Sequence, residues 1–326
     1  MKFALFSDLH ANYYAIRAAG QDAAEEMEVP PGNFWCLGDV VGYGPHPAQA
    51  LRFLRDFVDP ARWVMGNHDA MLADLWLPGD PGEPAFTVRV NQGKGREISA
   101  RGLFLRADEW FKTTSMPLEV IRLNRLALQQ NPDEDAFWRT TFKPERARPL
   151  VFEQDGVVCV LVHGAHADPL SRYVYAWNDG ILIPRELRHL QEYQTHPTQT
   201  VIQFYGHTHV PTFICARPRD GGFEIQAEKI YPNQTFTLQE GSFYLINPGS
   251  VGQPRDRDQR AAYLVFDSQK RTVTFRRVSY DYTLTAADLA KEQYPESLIR
   301  RLHTAAAAER DVPEEWLRHF DEARKR

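Results

Sequence analysis

Residues 2–10 read KFALFSDLH, a short apolar run that leads directly into an aspartate and a histidine. Short apolar runs rich in Val, Ile and Phe are typical of buried strands. In open α/β sheets, ligands bind in the crevice beyond the carboxyl ends of such strands. Asp8 and His10 are therefore predicted to lie in such a crevice, at the carboxyl end of the first strand. Because residues two apart on an extended chain point to the same side, both can reach one metal ion.

Four further apolar runs end in the same way. They are Phe34–Leu37 before Gly38-Asp39, Trp63–Met65 before Gly66-Asn67-His68-Asp69, Val158–Val162 before His163-Gly164, and Val201–Tyr205 before Gly206-His207-Thr208-His209. One such motif alone is more often structural, but five strands that deliver Asp, Asn and His to one rim predict a polynuclear metal site. Carboxylates with imidazoles suit Mn, Fe, Co or Zn better than Mg or Ca. The candidate ligands are too many for one ion with an open position, and they are Asp8, His10, Asp39, Asn67, His163, His207 and His209.

The order of elements predicts an α/β fold. Up to about residue 70, strands alternate with helices at Asn12–Glu28 and Pro47–Val58, which indicates a parallel sheet with right-handed crossovers. Residues 71 to about 150 interrupt this order, with helical segments predicted around Val88–Ala107 and Pro117–Gln130. We interpret this insert as a helical cap whose aromatic residues either form its own core or contact the substrate.

The second half of the chain is predicted to be largely antiparallel. Its composition indicates three hairpins, which pair Thr212–Arg217 with Phe223–Lys229, Thr235–Gln239 with Phe243–Ile246, and Ala262–Phe266 with Thr272–Val278. A charged helical tail follows from about residue 285. Its last segment, Pro313–Arg326, mixes charges of both signs at helical spacing, which favours a solvated amphipathic helix over a recognition element.

Composition limits the classes of function. The net charge of −5 and the pI near 6.1 lack the overall positive charge that is typical of a nucleic-acid-binding protein, and they leave a local basic groove open. No apolar run has the length of a membrane span. The three cysteines lack metal-ligand spacing and are interpreted as reduced core residues. Since Met1-Lys2 leads straight into the first motif, no signal peptide is expected, and the protein is predicted to be cytoplasmic.

The motifs together resemble the calcineurin-like metallophosphoesterase superfamily. Its sequence blocks occur here in order, from Asp8-Leu9-His10 to Gly206-His207-Thr208-His209. The segments 38–45 (GDVVGYGP) and 247–255 (NPGSVGQPR) are similar to its bacterial and archaeal single-domain phosphodiesterase-like branch. The resemblance implies a four-layer α/β/β/α sandwich of two mixed sheets flanked by helices, with a helical cap insert. It implies one domain over residues 1–283, with the insert at about 71–150 and a helical tail at 284–326 packed on it or extending from it.

The resemblance also implies a role for each candidate residue. Asp8, His10, Asp39 and His209 would bind a first metal ion, Asn67, His163 and His207 would complete a second site, and Asp39 would bridge the two. His68 would face the scissile phosphate, stabilise its developing charge and help protonate the leaving oxygen. Asp69 would either orient His68 or cap the helix that begins there.

The implied activity is that of a dinuclear metal-dependent phosphoesterase and, more narrowly, of a phosphodiesterase. Hydrolysis would proceed by in-line attack of a hydroxide held between two ions. Manganese is the favoured ion, with Fe, Zn, Co or Ni as alternatives, and a small phosphoester or a nucleotide is the expected substrate. Protein phosphatases and dinucleoside tetraphosphatases of the superfamily carry a phosphate-binding Arg shortly after the Asp of the Gly-Asp block. Gly42 and Tyr43 stand there instead, and Tyr43 is, with Arg255, a candidate substrate-binding residue. Arg255 or Arg260 would supply the missing cation, unless they pair with Asp256 or Asp258.

Three other functions stay open at this point. The chain could be a metal-bearing regulatory or scaffold protein with little turnover, whose insert and tail bind a partner. It could be a nuclease, which would need a basic channel and salt-dependent binding. It could also be a nucleotide phosphatase of the same superfamily. The intact His68 argues against the regulatory alternative, because a site that no longer catalyses a reaction has no chemical need for that residue.

Overall fold

Two six-stranded mixed sheets lie at the centre of the fold. The computed structural model describes residues 1–76, 87–90, 96–99, 116–177, 180–306 and 312–326. The first sheet has the order β11 (Thr235–Thr237), β14 (Thr272–Val278), β13 (Ala261–Asp267), β1 (Lys2–Phe6), β2 (Phe34–Cys36) and β3 (Val58–Trp63). The second has the order β10 (Gly222–Glu228), β9 (Thr212–Arg219), β12 (Phe243–Asn247), β8 (Thr200–Phe204), β7 (Val157–Leu161) and β6 (Leu150–Gln154).

Each sheet has a parallel centre and antiparallel edges. Strand β2 runs parallel to both β1 and β3, and β8 runs parallel to both β7 and β12. The remaining pairs are antiparallel. Since the carboxyl ends of neighbouring parallel strands meet at one edge, the loops after β1, β2 and β3 lie together, as do those after β7 and β8.

Strand periodicity divides the apolar residues between separate cores. On β1, Ala4 and Phe6 belong to the core beneath the outer helices, whereas Phe3 and Leu5 belong to the core between the two sheets. Strand β7 alternates in the same way between the core shared by the sheets and a third core on the other side of the second sheet. Because both faces of these strands are buried, their sequences are continuous apolar runs.

Helices cover the outer faces of both sheets. They are α1 (Tyr13–Glu25), α2 (Pro47–Phe57), α3 (Asn67–Trp76), α4 (Met116–Gln129), α5 (Pro132–Thr141), α6 (Leu182–Gln191), α7 (Tyr282–Lys291), α8 (Glu296–Thr304) and α9 (Glu314–Ala323). Helix α1 packs on β13 and β14 of the first sheet, and α6 packs on β8 and β12 of the second. The predicted α/β/β/α sandwich of two mixed sheets is thereby confirmed.

The predicted helix around Val88–Ala107 is wrong where the structure describes it. Thr87–Val90 and Arg96–Ser99 form an antiparallel hairpin of strands β4 and β5. These short segments contain Thr, Val and Ile, whose β-branched side chains favour extended backbone. The rest of that predicted helix lies outside the described residues. The second predicted helix of the insert, Pro117–Gln130, corresponds to α4.

The predicted hairpin between Thr235–Gln239 and Phe243–Ile246 is also wrong. Strand β11 pairs with β14 in the first sheet, whereas β12 lies between β8 and β9 in the second. All five residues of β12 are buried, as expected for a central strand. A turn composition between two short runs cannot distinguish a hairpin from a crossing between sheets, because both require a change of chain direction. The other two predicted hairpins are present.

The C-terminal helices pack on the rest of the chain. Leu298 and Leu302 of α8 share a buried cluster with Val120 of α4. In α9, Trp316 and Phe320 are buried beside Ala176 and Val210. The segment predicted as a solvated helix is therefore solvated on one face only. How residues 1–283 and 284–326 divide into domains stays a prediction.

Candidate metal centre

The candidate ligands come from loops that follow five parallel strands. Asp8 and His10 follow β1, Asp39 follows β2, and Asn67 opens α3 after β3. In the second sheet, His163 follows β7, and the pair His207 and His209 follows β8. The structure brings all seven residues together, as the strand-end pattern predicts. Their role as ligands stays a prediction.

Backbone conformation aims these side chains into one space. Five of the seven residues have a positive φ between 45° and 68°, namely Asp8, His10, Asp39, His207 and His209. For residues other than glycine this left-handed conformation costs about 1–2 kcal/mol each and persists only where the surroundings impose it. The loops impose it on each other, because Asp8 N donates to the carbonyl of Gly38 at 3.0 Å and His10 N to that of Asp39 at 2.9 Å.

Glycine is required at two of the contacts between loops. A Cβ atom on Gly66 would lie 2.0 Å from Asp39 Oδ1, and one on Gly206 would lie 1.9 Å from Ser7 Oγ. Any side chain at these positions would push apart the loops that carry the candidate ligands.

The first group of possible ligands comprises Asp8, His10, Asp39 and His209, all buried, with ligand atoms within 4.8 Å of one another. His10 Nδ1 lies 3.2 Å from the carbonyl oxygen of Val41, and His209 Nδ1 lies 2.6 Å from that of Gln253. If each Nδ1 donates its proton there, both Nε2 atoms keep a free lone pair, and these atoms are 3.1 Å apart. Two facing lone pairs repel, so a cation between them fits the arrangement.

The second group comprises Asp39, His163 and His207. His163 Nδ1 lies 2.8 Å from the carbonyl oxygen of Leu37, and its Nε2 lies 3.1 Å from Asn67 Oδ1. The Nε2 atom of His207 is buried and has no hydrogen-bond partner among the described residues. An unpaired buried acceptor is costly, and a metal ion would satisfy it.

Asp39 belongs to both groups. Its Oδ2 atom lies 3.6 Å from His10 Nε2 of the first group and 3.4 Å from His163 Nε2 of the second. Its Oδ1 atom accepts a hydrogen bond from the backbone N–H of His68 at 2.8 Å, which fixes the carboxylate. The residues present thus fit a divalent metal centre.

Charge and burial oppose each other in this cluster. Burial alone would raise the pKa of Asp39, but His163, His68 and His10 hold it well below its usual range. Burial would lower the pKa of His163, yet the charge of Asp39 raises it to about 9. Burial raises the pKa of Asp8 to about 7. Divalent cations would favour the ionised carboxylates and release the proton from His163.

The remaining imidazoles are neutral near pH 7. Burial lowers the pKa of His10, His207 and His209 well below the usual value. Neutral imidazole is the form that binds a metal ion, so these side chains need to lose no proton on metal binding.

His68 lies beside both groups without belonging to either. Its ring is 4.9 Å from that of His10 and 4.4 Å from that of Tyr43. Its Nδ1 atom has no hydrogen-bond partner among the described residues. A Cβ on Gly42 would lie 2.3 Å from this atom. A side chain such as arginine at position 42 is therefore incompatible with His68 in this place.

The hydrogen bonds of Asp69 agree with the alternative in which it caps the helix, and its catalytic role stays a prediction. Within the described residues its Oδ1 accepts from Val41 N at 3.1 Å and its Oδ2 from Gly66 N at 3.0 Å, whereas the ring of His68 is no partner. Asp69 is the third residue of α3, and it reaches back to the N–H that precedes the helix, as the acidic residue of a capping box does. It joins the loops after β2 and β3 and positions the site through the backbone.

The structure separates the two candidate arginines. Arg260 forms an ion pair with Asp258 at 2.7 Å. This pairing was the predicted alternative to a role as the phosphate-binding cation. Arg255 faces the site, since its Nη2 lies 3.5 Å from the hydroxyl of Tyr43 and its backbone N–H donates to the carbonyl of His209 at 3.2 Å. Tyr43 contacts the His10 ring at 4.5 Å.

Three residues near the site were not predicted from the sequence. Tyr173 stacks on His207 with ring centroids 3.9 Å apart, Asn124 holds the loop that carries Tyr43, and Arg301 lies over the Tyr43 ring. Tyr173 and Asn124 carry no motif. Arg301 gives a weak signal, because it follows the apolar Leu298 by three residues and so lies beside the buried stripe of its helix.

Asn124 is fully buried in α4 and binds both sides of the turn at Tyr43. Its Oδ1 accepts from Gly42 N at 2.7 Å, and its Nδ2 donates to the carbonyl of Gly44 and to the hydroxyl of Tyr294, both at 2.9 Å. Tyr43 itself has a positive φ of 52°. The insert and the C-terminal segment thus hold a strained loop of the site through one amide.

Replacing Asn124 by leucine should lower the free energy of unfolding by about 2 kcal/mol or more, because it leaves buried backbone groups of Gly42 and Gly44 unpaired. Urea unfolding of the whole chain measures the loss. Gln129→Ala, an exposed change on the same helix, should stay within about 0.5 kcal/mol of the unchanged protein. Equal stability of both variants would contradict this role for Asn124.

Comparisons with known proteins agree with this geometry. The family model for calcineurin-like phosphoesterases matches residues 1–211. An uncharacterized protein of Methanocaldococcus jannaschii is 27% identical over 299 residues, which cover 92% of this chain and 96% of that protein. A metallophosphoesterase from Sphaerobacter thermophilus has a crystal structure that matches with a TM-score of 0.60 at 26% identity, over 94% of this chain and 99% of that one.

A shorter similarity concerns nucleotide enzymes. The symmetrical bis(5'-nucleosyl)-tetraphosphatase of Cronobacter sakazakii is 37% identical over 70 residues, which cover 21% of this chain and 23% of that protein. The similarity therefore spans about a quarter of that enzyme.

The matching region, the two-sheet fold and the Asp/His cluster define a metallophosphoesterase. The chain belongs to the calcineurin-like phosphoesterase family and is a metal-dependent phosphoester hydrolase. No helix in the described part of the chain combines the length and the apolar character needed to cross a membrane.

Proposed function

We propose that this protein is a dinuclear metal-dependent phosphodiesterase acting on a small phosphoester or a nucleotide. The observation that carries the proposal is the position of Asp39, whose Oδ2 lies between His10 of one ligand group and His163 of the other. A carboxylate shared by two groups is the arrangement that two adjacent ions need. Asp8, His10 and His209 would complete one ion's ligands, and Asn67, His163 and His207 the other's.

Each part of the site has a chemical task in this proposal. When bound, two divalent ions neutralise the charge of the phosphoester and lower the pKa of the attacking water. His68 faces the leaving oxygen. Burial lowers the pKa of His68 to about 4, so its ring is neutral near pH 7 until the negative charge of a bound phosphate favours its protonation. The protonated ring then stabilises the leaving oxygen and donates its proton to it.

Several observations guide the choice of metal and substrate. The mixed carboxylate and imidazole ligands favour manganese, with Fe, Zn, Co or Ni as alternatives. The partial similarity to a nucleotide enzyme supports a nucleotide substrate. Positions 42 and 43 hold glycine and tyrosine, so the phosphate-binding arginine of the dinucleoside tetraphosphatases has no counterpart there. The three cysteines are free thiols, which supports a reducing, cytoplasmic location.

Removing and restoring metal tests the proposal. We expect chelator-treated protein to be inactive towards bis(p-nitrophenyl) phosphate and to regain activity with Mn²⁺ more than with Mg²⁺ or Ca²⁺. Since ligands of the native state stabilise it, Mn²⁺ should also raise the melting temperature. Protein that binds manganese and yet hydrolyses no member of a broad phosphoester panel would contradict the proposal and favour the regulatory alternative.

A further inference from the structure

Two arginines from distant parts of the chain converge on one tyrosine ring at the rim of the metal centre. The guanidinium carbon of Arg255 lies 5.8 Å from the centroid of the Tyr43 ring, and that of Arg301 lies 5.6 Å from it. Arg255 follows β12, whereas Arg301 belongs to α8 in the C-terminal segment. Both side chains are partly buried.

The hydrogen-bond partners that surround Arg255 are uncharged. Arg255 Nη2 contacts the hydroxyl of Tyr43 at 3.5 Å and Gln253 Oε1 at 3.3 Å. Among the described residues, neither guanidinium forms an ion pair with a carboxylate. Their mutual repulsion adds to burial in lowering the pKa of Arg301. Asp8 of the metal centre attracts Arg255 but forms no ion pair with it. Two neighbouring cations in a partly buried place, neither of them paired with a carboxylate, form a site for an anion.

The pair lies next to the metal centre but apart from the candidate ligand atoms. Tyr43 contacts both guanidinium groups, and the same ring lies 4.5 Å from His10 and 4.4 Å from His68. In the described part of the chain, neither arginine makes a hydrogen bond with Asp8 or Asp39. An anion held by the pair would therefore be a neighbour of the group bound at the metal centre.

We propose that Arg255 and Arg301 form a subsite for a second phosphate group of the substrate. The inference rests on the proposed phosphodiesterase function and names its substrate class, a phosphodiester that carries a further phosphate. A simple diester has one negative charge, which two divalent ions already counter. The guanidinium pair adds two positive charges, which match the additional charge of a terminal phosphate and its acceptor oxygens.

Through Arg301, the C-terminal segment takes part in substrate selection. Arg301 reaches the site because Leu298 and Leu302 hold α8 in the cluster that includes Val120 of the insert. The subsite thus combines the loop after β12 with helix α8, and both lie outside the region matched by the family model.

The test compares two substrates that contain the same scissile diester. They are the dinucleoside monophosphate ApA and pApA, which carries an additional terminal phosphate. The manganese-loaded full chain should prefer pApA in kcat/KM. Arg301→Gln should lower the ratio of kcat/KM for pApA to that for ApA by about ten-fold or more, the loss expected for a charge-assisted hydrogen bond. Arg301→Lys should give an intermediate ratio, since it keeps the charge without the planar fork.

Arg300→Gln is the matched control, because Arg300 is exposed on the same helix and should leave the ratio unchanged. An equal loss of activity towards both substrates in Arg301→Gln would indicate a structural role or contact with the scissile phosphate and would overturn the inference. Inhibition by inorganic pyrophosphate provides a second measurement. A variant in which this inhibition weakens while the substrate ratio is unchanged would assign the pair to free anions and also overturn it. No hydrolysis of any diester by the unchanged protein would instead refute the proposed function.

Discussion

Replacing Asp39 by asparagine should lower kcat/KM for bis(p-nitrophenyl) phosphate by about 1,000-fold or more. The carboxylate belongs to both groups of candidate ligands, so in the proposed dinuclear site its loss would weaken two metal sites at once, and metal ions contribute several kcal/mol of transition-state stabilisation. Asparagine keeps the size of the side chain and an oxygen for the backbone N–H of His68. We therefore expect a folded protein whose metal content, measured by elemental analysis, falls from two ions per chain to one or none.

A surface variant controls for the change of charge. Asp220 lies exposed in the turn between β9 and β10, and Asp220→Asn removes one negative charge far from the site. It should leave metal content and turnover unchanged. Two bound ions and normal activity in Asp39→Asn would rule out a bridging role for this carboxylate.

Replacing His68 by glutamine should lower kcat strongly while leaving the metal content intact. His68 is in neither ligand group, and general acid catalysis contributes about 10²–10⁴-fold. The loss should depend on the leaving group. Alkyl alcohols need protonation, whereas p-nitrophenolate leaves readily without it. We expect a greater loss for an alkyl phosphodiester than for the p-nitrophenyl ester.

His196→Gln serves as the control for this second prediction. His196 is exposed and belongs to none of the strand-end motifs. It precedes strand β8, whereas the motif of that strand follows it. The substitution should change neither the metal content nor the rate. If His68→Gln slows both esters equally, His68 acts by electrostatic stabilisation alone. If it releases metal, the ring acts as a ligand.

The insert and the C-terminal segment meet at the loop that carries Tyr43. Asn124 of α4 holds Gly42 and Gly44, and it also donates to the hydroxyl of Tyr294, which precedes α8. Arg301 of α8 reaches the same tyrosine. The parts of the chain outside the recognised motifs therefore shape the rim of the metal centre.

Much of the candidate site could be predicted because its signals are local. A buried strand is visible as an apolar run, and a polar residue directly after it must lie at the sheet edge. Asp8, Asp39 and His163 were found in this way. The sandwich followed from the family resemblance and from alternating strands and helices.

The errors arose where the signal depends on pairing. Nothing within Thr235–Gln239 shows that it pairs with β14 rather than with the next strand along the chain. For Asp69 the sequence left two roles open, to orient His68 or to cap α3, and only the folded chain shows its carboxylate turned towards Gly66 and Val41. A residue adjacent in sequence on a helix points in a different direction, and only the surrounding loops determine its partner.

The sequence by itself determined the buried strands and the candidate ligands that follow them, because strand periodicity and strand-end motifs act over a few residues, whereas the two-sheet sandwich was implied by the family resemblance. Tertiary structure alone decided that Arg255 faces the site while Arg260 pairs with Asp258, and that Arg301 joins Tyr43 from the other end of the chain. Such contacts depend on how helices and loops pack over long sequence separations. Side-chain partners are then chosen by charge and burial in the folded chain, and local sequence does not encode that choice.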